Sequence, residues 1–322
     1  MGMSGVLLTG SSGFIGSRVK SLLIERGYNV RALSYRALEA YSPVESIVGD
    51  IRDISICRRA VRGVDVVIHL AGEKRNSADF WPVNVQGTRN LLTAALDEGI
   101  GHFVHMSTVG VIGANPFQPE VFDEEAFCMP KNDYERSKWE AEKLVRQARA
   151  AELPVDILRP SNVFGDRDPQ RCLLTLLHKV KQGLFVYLGG RDVLCNYVFV
   201  DDVAHAILTL AEHPNEGGRT YNLSDQCTLG EFVDSLAADL RVKRPCLALP
   251  NSVAHLIRLA LGAAKSLSWL STSSLFSRLV SLNNQASFAT STLRDDLGFQ
   301  LPVGWRAGLR RTIEWYRSQG LL

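Results

Sequence analysis

Short β-branched runs alternate with longer stretches of helical period through the first half of this chain. Val6-Leu7-Leu8-Thr9 reads as a buried strand, Phe14 to Arg26 as a helix that stops at Gly27, and Asn29 to Leu33 as a second strand. A helix follows from about Asp53, a good N-cap, to Gly63; a strand over Asp65 to Leu70 and a long helix over Val83 to Leu96 come next. His102 to Met106 is a fourth strand, Asn132 to Ala151 a helix, and Val155 to Leu158 a fifth strand ending at Arg159-Pro160. Strands with little polar alternation, separated by amphipathic helices, predict an α/β fold with a doubly wound parallel sheet covered on both faces. After residue 160 the pattern loosens. Strands are expected near Tyr197 to Val200 and Tyr221 to Leu223, each followed by a helix, and residues 245–322 read as mostly helical with serine-rich and proline interruptions. The expected division is a sheet domain over 1–165 and a smaller, mostly helical C-terminal lobe over 166–322, interleaved with the sheet.

Composition narrows the partners. With 322 residues, 46% apolar, 22% charged and a formal net charge of +2, the chain can bury a sizeable core and has no basic stripe that would point to nucleic acid. Its six cysteines (Cys57, Cys128, Cys172, Cys195, Cys227, Cys246) include no Cys-x-x-Cys pair and no histidine spaced to complete a zinc site. They read as buried free thiols in a reducing compartment, with no metal. The chain runs from Met-Gly-Met-Ser directly into a strand, so no signal peptide is expected. No stretch reaches the roughly 18 apolar residues of a membrane span, and the nearest, Val253 to Leu270, is broken by Arg258 and Lys265. A cytoplasmic protein without a membrane span is the expectation.

Thr9-Gly10-Ser11-Ser12-Gly13-Phe14-Ile15-Gly16 lies between the first strand and the first helix. In a doubly wound sheet that turn binds a dinucleotide: glycines let the backbone approach the pyrophosphate, and the helix N-terminus offers N–H groups and partial positive charge. The bland alternative is a plain glycine turn. The second strand should end on the residue that reads the adenosine ribose, and here Leu33-Ser34-Tyr35-Arg36 carries no acid. Arg36, helped by Arg31, could pair with a 2′-phosphate, which favours NADP over NAD; the alternative for Arg36 is a solvated surface charge.

Tyr134 and Lys138 stand four apart on a predicted helix and share one face. An ammonium beside a phenol should lower its pKa from about 10 toward working pH, suiting Tyr134 to acid/base work on an alcohol–ketone pair. The same spacing also makes an ordinary surface pair. Ser107-Thr108 follows the fourth strand, at the sheet edge that carries the glycine loop, where a hydroxyl can hold a substrate oxygen near the phenol.

In chain order, Thr9–Gly16, Gly49-Asp50-Ile51, His69-Leu70-Ala71-Gly72, Asn84-Val85-x-Gly87-Thr88, Ser107-Thr108, Tyr134…Lys138, Arg159-Pro160-Ser161-Asn162-Val163-Phe164-Gly165 and Val200-Asp201-Asp202-Val203 stand out. Together they resemble the NAD-dependent epimerase/dehydratase branch of the extended short-chain dehydrogenases/reductases. A weaker echo covers Leu297-Gly298-Phe299 and Gly308 to Tyr316. The resemblance implies a Rossmann sheet, a bound NAD(P) and a homodimer formed through the helices carrying Asn84 and Tyr134. It implies a cofactor loop of Gly10, Ser12, Gly13, Phe14, Ile15 and Gly16, with Asp50 and Ile51 bracketing the adenine. Leu70, Ala71 and Gly72 would pass behind the ribose, and Asn84 and Asn162 would lie near cofactor and substrate. Lys138 would bond the nicotinamide ribose as well as tune Tyr134. The catalytic hydroxyl falls on Thr108, three residues before Val111, and His69 is structural.

Three departures from the family pattern shape the expected activity. Val109-Gly110 follows Thr108 where dehydrating members carry Asp-Glu, which argues against a 4,6-dehydratase. Cys195 stands where many nucleotide-sugar enzymes place a diphosphate-gripping Arg, leaving Arg191 as the nearby substitute. The apolar segment from Leu249-Pro250 to Leu282 is similar to that of members acting on hydrophobic alcohols such as sterols or flavonols, or else forms a lid or dimer helix. The expected activity is hydride transfer at a secondary carbinol of a nucleotide-sugar, as an epimerase or a ketoreductase. The alternatives are a dehydrogenase of a non-sugar apolar alcohol and a non-catalytic NAD(P)-binding module.

Overall fold

The computed structural model describes residues 5–35, 44–114, 120–169, 171–188, 190–214, 218–249 and 286–322. The first half runs β1 (Val6–Thr9), α1 (Phe14–Glu25), β2 (Val30–Ser34), β3 (Glu45–Val48), α2 (Ile54–Val61), β4 (Val66–His69), α3 (Thr88–Glu98), β5 (His102–Met106), β6 (Val121–Phe122), α4 (Asp133–Ala150) and β7 (Val155–Pro160). The second half continues β8 (Asn162–Phe164), α5 (Cys172–Lys181), β9 (Tyr187–Leu188), β10 (Leu194–Phe199), α6 (Val200–Glu212), β11 (Thr220–Leu223), β12 (Asp225–Thr228) and α7 (Leu229–Leu240). Beyond these lie β13 (Ala248–Leu249), β14 (Ser287–Phe288), α8 (Ser291–Leu297) and α9 (Gly304–Ser318).

Seven parallel strands form the main sheet in the order β11-β7-β5-β4-β1-β2-β3. Their side chains feed both faces. Val6 and Leu8 of β1, with Val66 and Ile68 of β4, enter a core shared with α1 and α6, whereas Leu7 and Val67 enter one shared with α2, α3 and α4. Burial on both faces explains why these strands read as continuous apolar runs. The order of strands turns round between β1 and β4, so the carboxyl ends of those two strands open a crevice, the place where doubly wound sheets bind ligands.

A second sheet, β12-β10-β8, pairs β10 antiparallel to β12 and parallel to β8. It packs with α5, α7 and α9 around Phe164, Leu177, Phe199, Phe232 and Tyr316. Asp202 ties this part to the C-terminus, accepting the N–H groups of Val303 at 2.8 Å and Gly304 at 2.9 Å just where α9 begins.

Four expectations need correcting. Glu45–Val48 is an edge strand that the sequence hides, because Ile47 alone of its four residues is buried. The helix expected from Val83 starts earlier, as a π-helical stretch over Phe80–Gly87 containing Pro82, and becomes α-helical at Thr88. Residues 286–322 begin with a strand, and 250–285, with Val253 to Leu270, lie outside the described residues. Cys57, Cys195 and Cys227 are buried free thiols, but Cys128 is half-buried and Cys246 exposed. Among the described residues no helix is long and apolar enough to cross a membrane, and no side-chain group could hold a metal ion.

Candidate active site

Where β1 ends, the backbone turns through Gly10 at φ +72°, and a Cβ there would stand 2.7 Å from the Ala71 nitrogen. The first turn of α1 packs on this loop so closely that a Cβ on Gly16 would lie 2.1 Å from the Gly10 carbonyl oxygen. The helix opens on Gly13 with no side-chain cap and no acid in its first turn. Its leading N–H groups and the positive end of its dipole are therefore free for an anion. This cradle fits the pyrophosphate of a dinucleotide. Gly10, Gly13, Phe14, Ile15, Gly16, Leu70 and Gly72 line one cleft of about 930 Å³, while Ser12 is exposed and outside the lining.

Directly under the cradle, Thr9 Oγ1 accepts the Ala71 N–H at 3.2 Å and meets His69 Nδ1 at 2.8 Å. His69 Nε2 lies 2.9 Å from Thr88 Oγ1, which donates to the Asn84 carbonyl at 2.6 Å. Because Thr88 spends its proton on Asn84, the imidazole donates from Nε2 and accepts at Nδ1. His69 is buried and neutral, its pKa brought down to about 3 by burial and the nearby Lys138 charge. It is a structural latch between β1 and α3.

Several expected cofactor residues sit behind the lining. The Asn84 side chain is a brace: Oδ1 accepts the Glu73 N–H at 2.7 Å, and Nδ2 donates to the Glu73 carbonyl and to Ser137 Oγ. Ile51 is buried against Gly87, and Asp50 is clamped by Arg52 at 2.6 Å and 2.8 Å. Arg31 cannot assist Arg36, because it is committed to Glu45 at 2.8 Å and to the carbonyls of Ala60 and Arg62. Arg36 itself lies outside the described residues.

The carboxyl end of β5 sends two adjacent hydroxyls in different directions. Both residues line the cleft, but the buried Ser107 donates its hydroxyl to Glu142 at 2.8 Å, whereas Thr108 caps the tight turn Val109–Ile112, accepting the Gly110 N–H at 3.1 Å. Asn132 caps α4, which then presents Tyr134 and Lys138 to the same cleft. The Tyr134 ring stands edge-on to Phe80 at 5.7 Å. Lys138 Nζ donates to the Met106 carbonyl at 2.7 Å.

The expected lowering of the Tyr134 pKa does not arise in this arrangement. Burial, with a smaller push from Glu135, raises the phenol to about 12. Burial also brings Lys138 down to about 8, against the opposing pull of Glu142. Desolvation dominates both groups, so the site stores a protonated phenol.

Beneath the site, Arg159 of β7 and Glu142 of α4 form a fully buried ion pair, with Arg159 Nε 3.1 Å from Glu142 Oε2. Glu142 also accepts from Arg146 and Ser107, and Arg159 donates to the Glu124 carbonyl. Burial pushes the Glu142 carboxyl up, but the two guanidiniums and the Ser107 hydroxyl more than offset it and hold it below the usual carboxylate range.

Asn162 lines the cleft, but Arg191 does not: it donates to Asp234 at 2.7 Å, to Tyr187 Oη and to the Pro245 carbonyl. Cys195 is buried and pairs across the sheet with Cys227. The sequence reading missed Glu73, Lys74, Arg75, Asp168 and Lys179, which also line the cleft. The Glu73 carboxylate accepts three successive N–H groups, those of Lys74, Arg75 and Asn76, a turn with no sequence signature. Lys179 had a signal: it shares a helical face with Leu173 and Leu176.

A sequence model described as the NAD dependent epimerase/dehydratase family matches residues 6–224. An Escherichia coli O157:H7 protein, N-acetyl-alpha-D-glucosaminyl-diphospho-ditrans,octacis-undecaprenol 4-epimerase, is 31% identical over 76% of this chain and 75% of its own length. Sterol demethylase protein B of Methylococcus capsulatus is 28% identical over 98% of this chain and 99% of its own. The structure of MoeE5 in complex with UDP-glucose and NAD has the same fold, with a TM-score of 0.75 and 23% identity over 98% of this chain and 99% of that one.

Proposed function

The chain belongs to the NAD-dependent epimerase/dehydratase family of extended short-chain dehydrogenases/reductases, and from that premise we propose that it transfers a hydride at a secondary carbinol or ketone of a nucleotide-sugar. It is an enzyme of the NAD-dependent oxidoreductase or isomerase type. The observation that carries the proposal is that Thr108, Tyr134 and Lys138 line the same cleft as the glycine cradle.

Bound NAD(P) supplies the nicotinamide that accepts or gives the hydride, and its oxidised ring adds a positive charge to the cleft. In ketone reduction Tyr134 gives its phenolic proton to the carbonyl oxygen as the hydride reaches the carbonyl carbon. Alcohol oxidation reverses both transfers, the phenolate taking the hydroxyl proton while Lys138 favours that phenolate. Thr108 holds the reacting oxygen beside the phenol, and Asn162 contacts the sugar. An epimerase returns the hydride to the opposite face and keeps its cofactor; a ketoreductase releases it at each turnover. Val109-Gly110 offers no proton-transferring side chain after Thr108, and the Glu135 carboxylate next to Gly110 is held by the Lys131 N–H at 2.7 Å. Dehydration is therefore left out of the proposal.

Replacing Tyr134 with Phe should lower kcat about a thousandfold or more while cofactor Kd stays within about twofold. Retained turnover in that variant would sink the assignment.

A second reading, oxidation or reduction of an apolar alcohol, is favoured by the cleft wall of Leu173, Leu176, Leu184, Phe185 and Val186. The similarity to sterol demethylase protein B points the same way. Thermal shifts separate the two, since the nucleotide-sugar reading alone predicts stabilisation by free UDP or dTDP. A preference for NADP rests on the acid-free end of β2 with Arg36 two residues beyond it, and is checked by comparing Kd for the two cofactors. We propose further that the 166–322 lobe binds the substrate, that the chain forms a homodimer through the helices carrying Asn84 and Tyr134, and that it is cytoplasmic.

A further inference from the structure

From α5 onward the cleft wall is apolar except at Thr175 and Lys179. Leu173 and Leu176 reach it from α5, Leu184, Phe185 and Val186 from the segment beyond, and Tyr197 from β10. Lys179 stands among them, three residues along α5 from Leu176 and on the same helical face. Its ammonium makes no hydrogen bond or ion pair among the described residues.

Of the other charges in the cleft, Lys74 and Arg75 follow Glu73 on the half of the chain that carries the glycine cradle, and three more have their own partners. Glu73 accepts backbone N–H groups, Lys138 is held by the Met106 carbonyl, and Asp168 is partnered. Arg191, the cation expected to grip a phosphate, is bound to Asp234 and stays out of the lining. Cys195, at the aligned arginine position, is a buried thiol and carries no charge to offer. The cleft lining holds Lys74, Arg75, Lys138 and Lys179 against Glu73 and Asp168, a balance that favours an anionic ligand. An ammonium set in an apolar wall attracts an anion more strongly than one in open water, because the surrounding dielectric is low. As a compact charge with three rotatable donors it suits a phosphate group.

We propose that Lys179 is the cation that binds the diphosphate of the substrate, and that the apolar wall beside it takes the group the diphosphate carries. This rests on the reading of the substrate as a sugar joined to a diphosphate. The diphosphate chemistry is shared by two carriers, a nucleoside and a polyprenol, and the two arms of the test distinguish them.

With NAD bound, UDP and farnesyl diphosphate are titrated calorimetrically into the wild-type enzyme, Lys179→Ala and Lys179→Arg. Lys179→Ala should weaken whichever diphosphate binds the wild type by at least about tenfold, and Lys179→Arg should restore it to within about threefold. The NAD affinity of both variants should stay at the wild-type value, since the cradle is on the other half of the chain. Binding of UDP alone supports the proposal with a nucleoside carrier, and binding of farnesyl diphosphate alone supports it with a lipid carrier. Unchanged diphosphate affinity in Lys179→Ala overturns it, as does a wild-type enzyme that binds neither ligand at millimolar concentration. Tyr134→Phe should bind the diphosphates as the wild type does, so a failed hydride-transfer reading and a failed Lys179 assignment give different results.

Discussion

Ser107 and Glu142, both buried, are joined by a 2.8 Å hydrogen bond at the floor of the cleft. The bond ties the end of β5, which carries Thr108, to α4, which carries Tyr134 and Lys138. Glu142 is in turn held by Arg159 of β7. Three elements that supply the site therefore meet on one carboxylate, and the distance from Thr108 to Tyr134 depends on it.

Removing one member of that pair should be far worse than removing both. Arg159→Met leaves Glu142 buried without its main counter-charge and should destabilise the protein by about 3–5 kcal/mol. The double variant Glu142→Leu/Arg159→Met should recover most of that loss. Urea unfolding at pH 7 measures both, and equal losses in the single and double variants would show that the pair has no such coupling.

Lys138 gives a pH signature with a fixed sign. Its folded-state pKa is down at about 8, while an unfolded lysine titrates near 10.4, so between those values the unfolded chain holds a proton that the folded one has released. Stability contributed by this group therefore rises with pH across that window, and below it the buried charge is destabilising throughout. Glu142, His69 and His105 face the same ammonium, and none of these listens to that window from its own titration. Lys138→Met should gain stability relative to wild type at pH 7, on the order of 1–2 kcal/mol after the Met106 hydrogen bond is lost, and the gain should vanish by pH 10. Urea midpoints at the two pH values check this; a gap that does not change with pH excludes a buried charge at Lys138.

The glycine cradle has a sharp steric limit. Gly16→Ala places a methyl 2.1 Å from the Gly10 carbonyl oxygen, and since that contact is with backbone the loop must move. NAD affinity should fall at least about tenfold, the equivalent of losing one good phosphate contact. Calorimetric titration of NAD into a variant whose circular dichroism matches wild type tests it.

How much of this could be read from the chain depended on how local each signal was. The cradle, the Tyr134–Lys138 spacing and the apolar strands β1, β4, β5 and β7 each lie within a few consecutive residues, and each occupies its expected place. β3 escaped because an edge strand with one buried side chain carries no periodic pattern. Arg31 and Arg191 looked available because a sequence does not show that Glu45 and Asp234 fold against them. The converse held for Lys179, an ordinary surface lysine by type that a helix turns into the cleft. The phenol of Tyr134 was misjudged for a related reason: spacing reports proximity to an ammonium but not the depth at which both are buried.

The chain of bonds from Ala71 through Thr9, His69 and Thr88 to Asn84 has a consequence for ligand affinity. Every link is neutral, and the imidazole at its centre does not gain a proton until pH falls to about 3, so nothing in the ordinary range unfastens it. The loop above it is thus held in its receptive shape before any dinucleotide arrives. The expected consequence is a dinucleotide dissociation constant that this latch leaves unchanged across the neutral pH range.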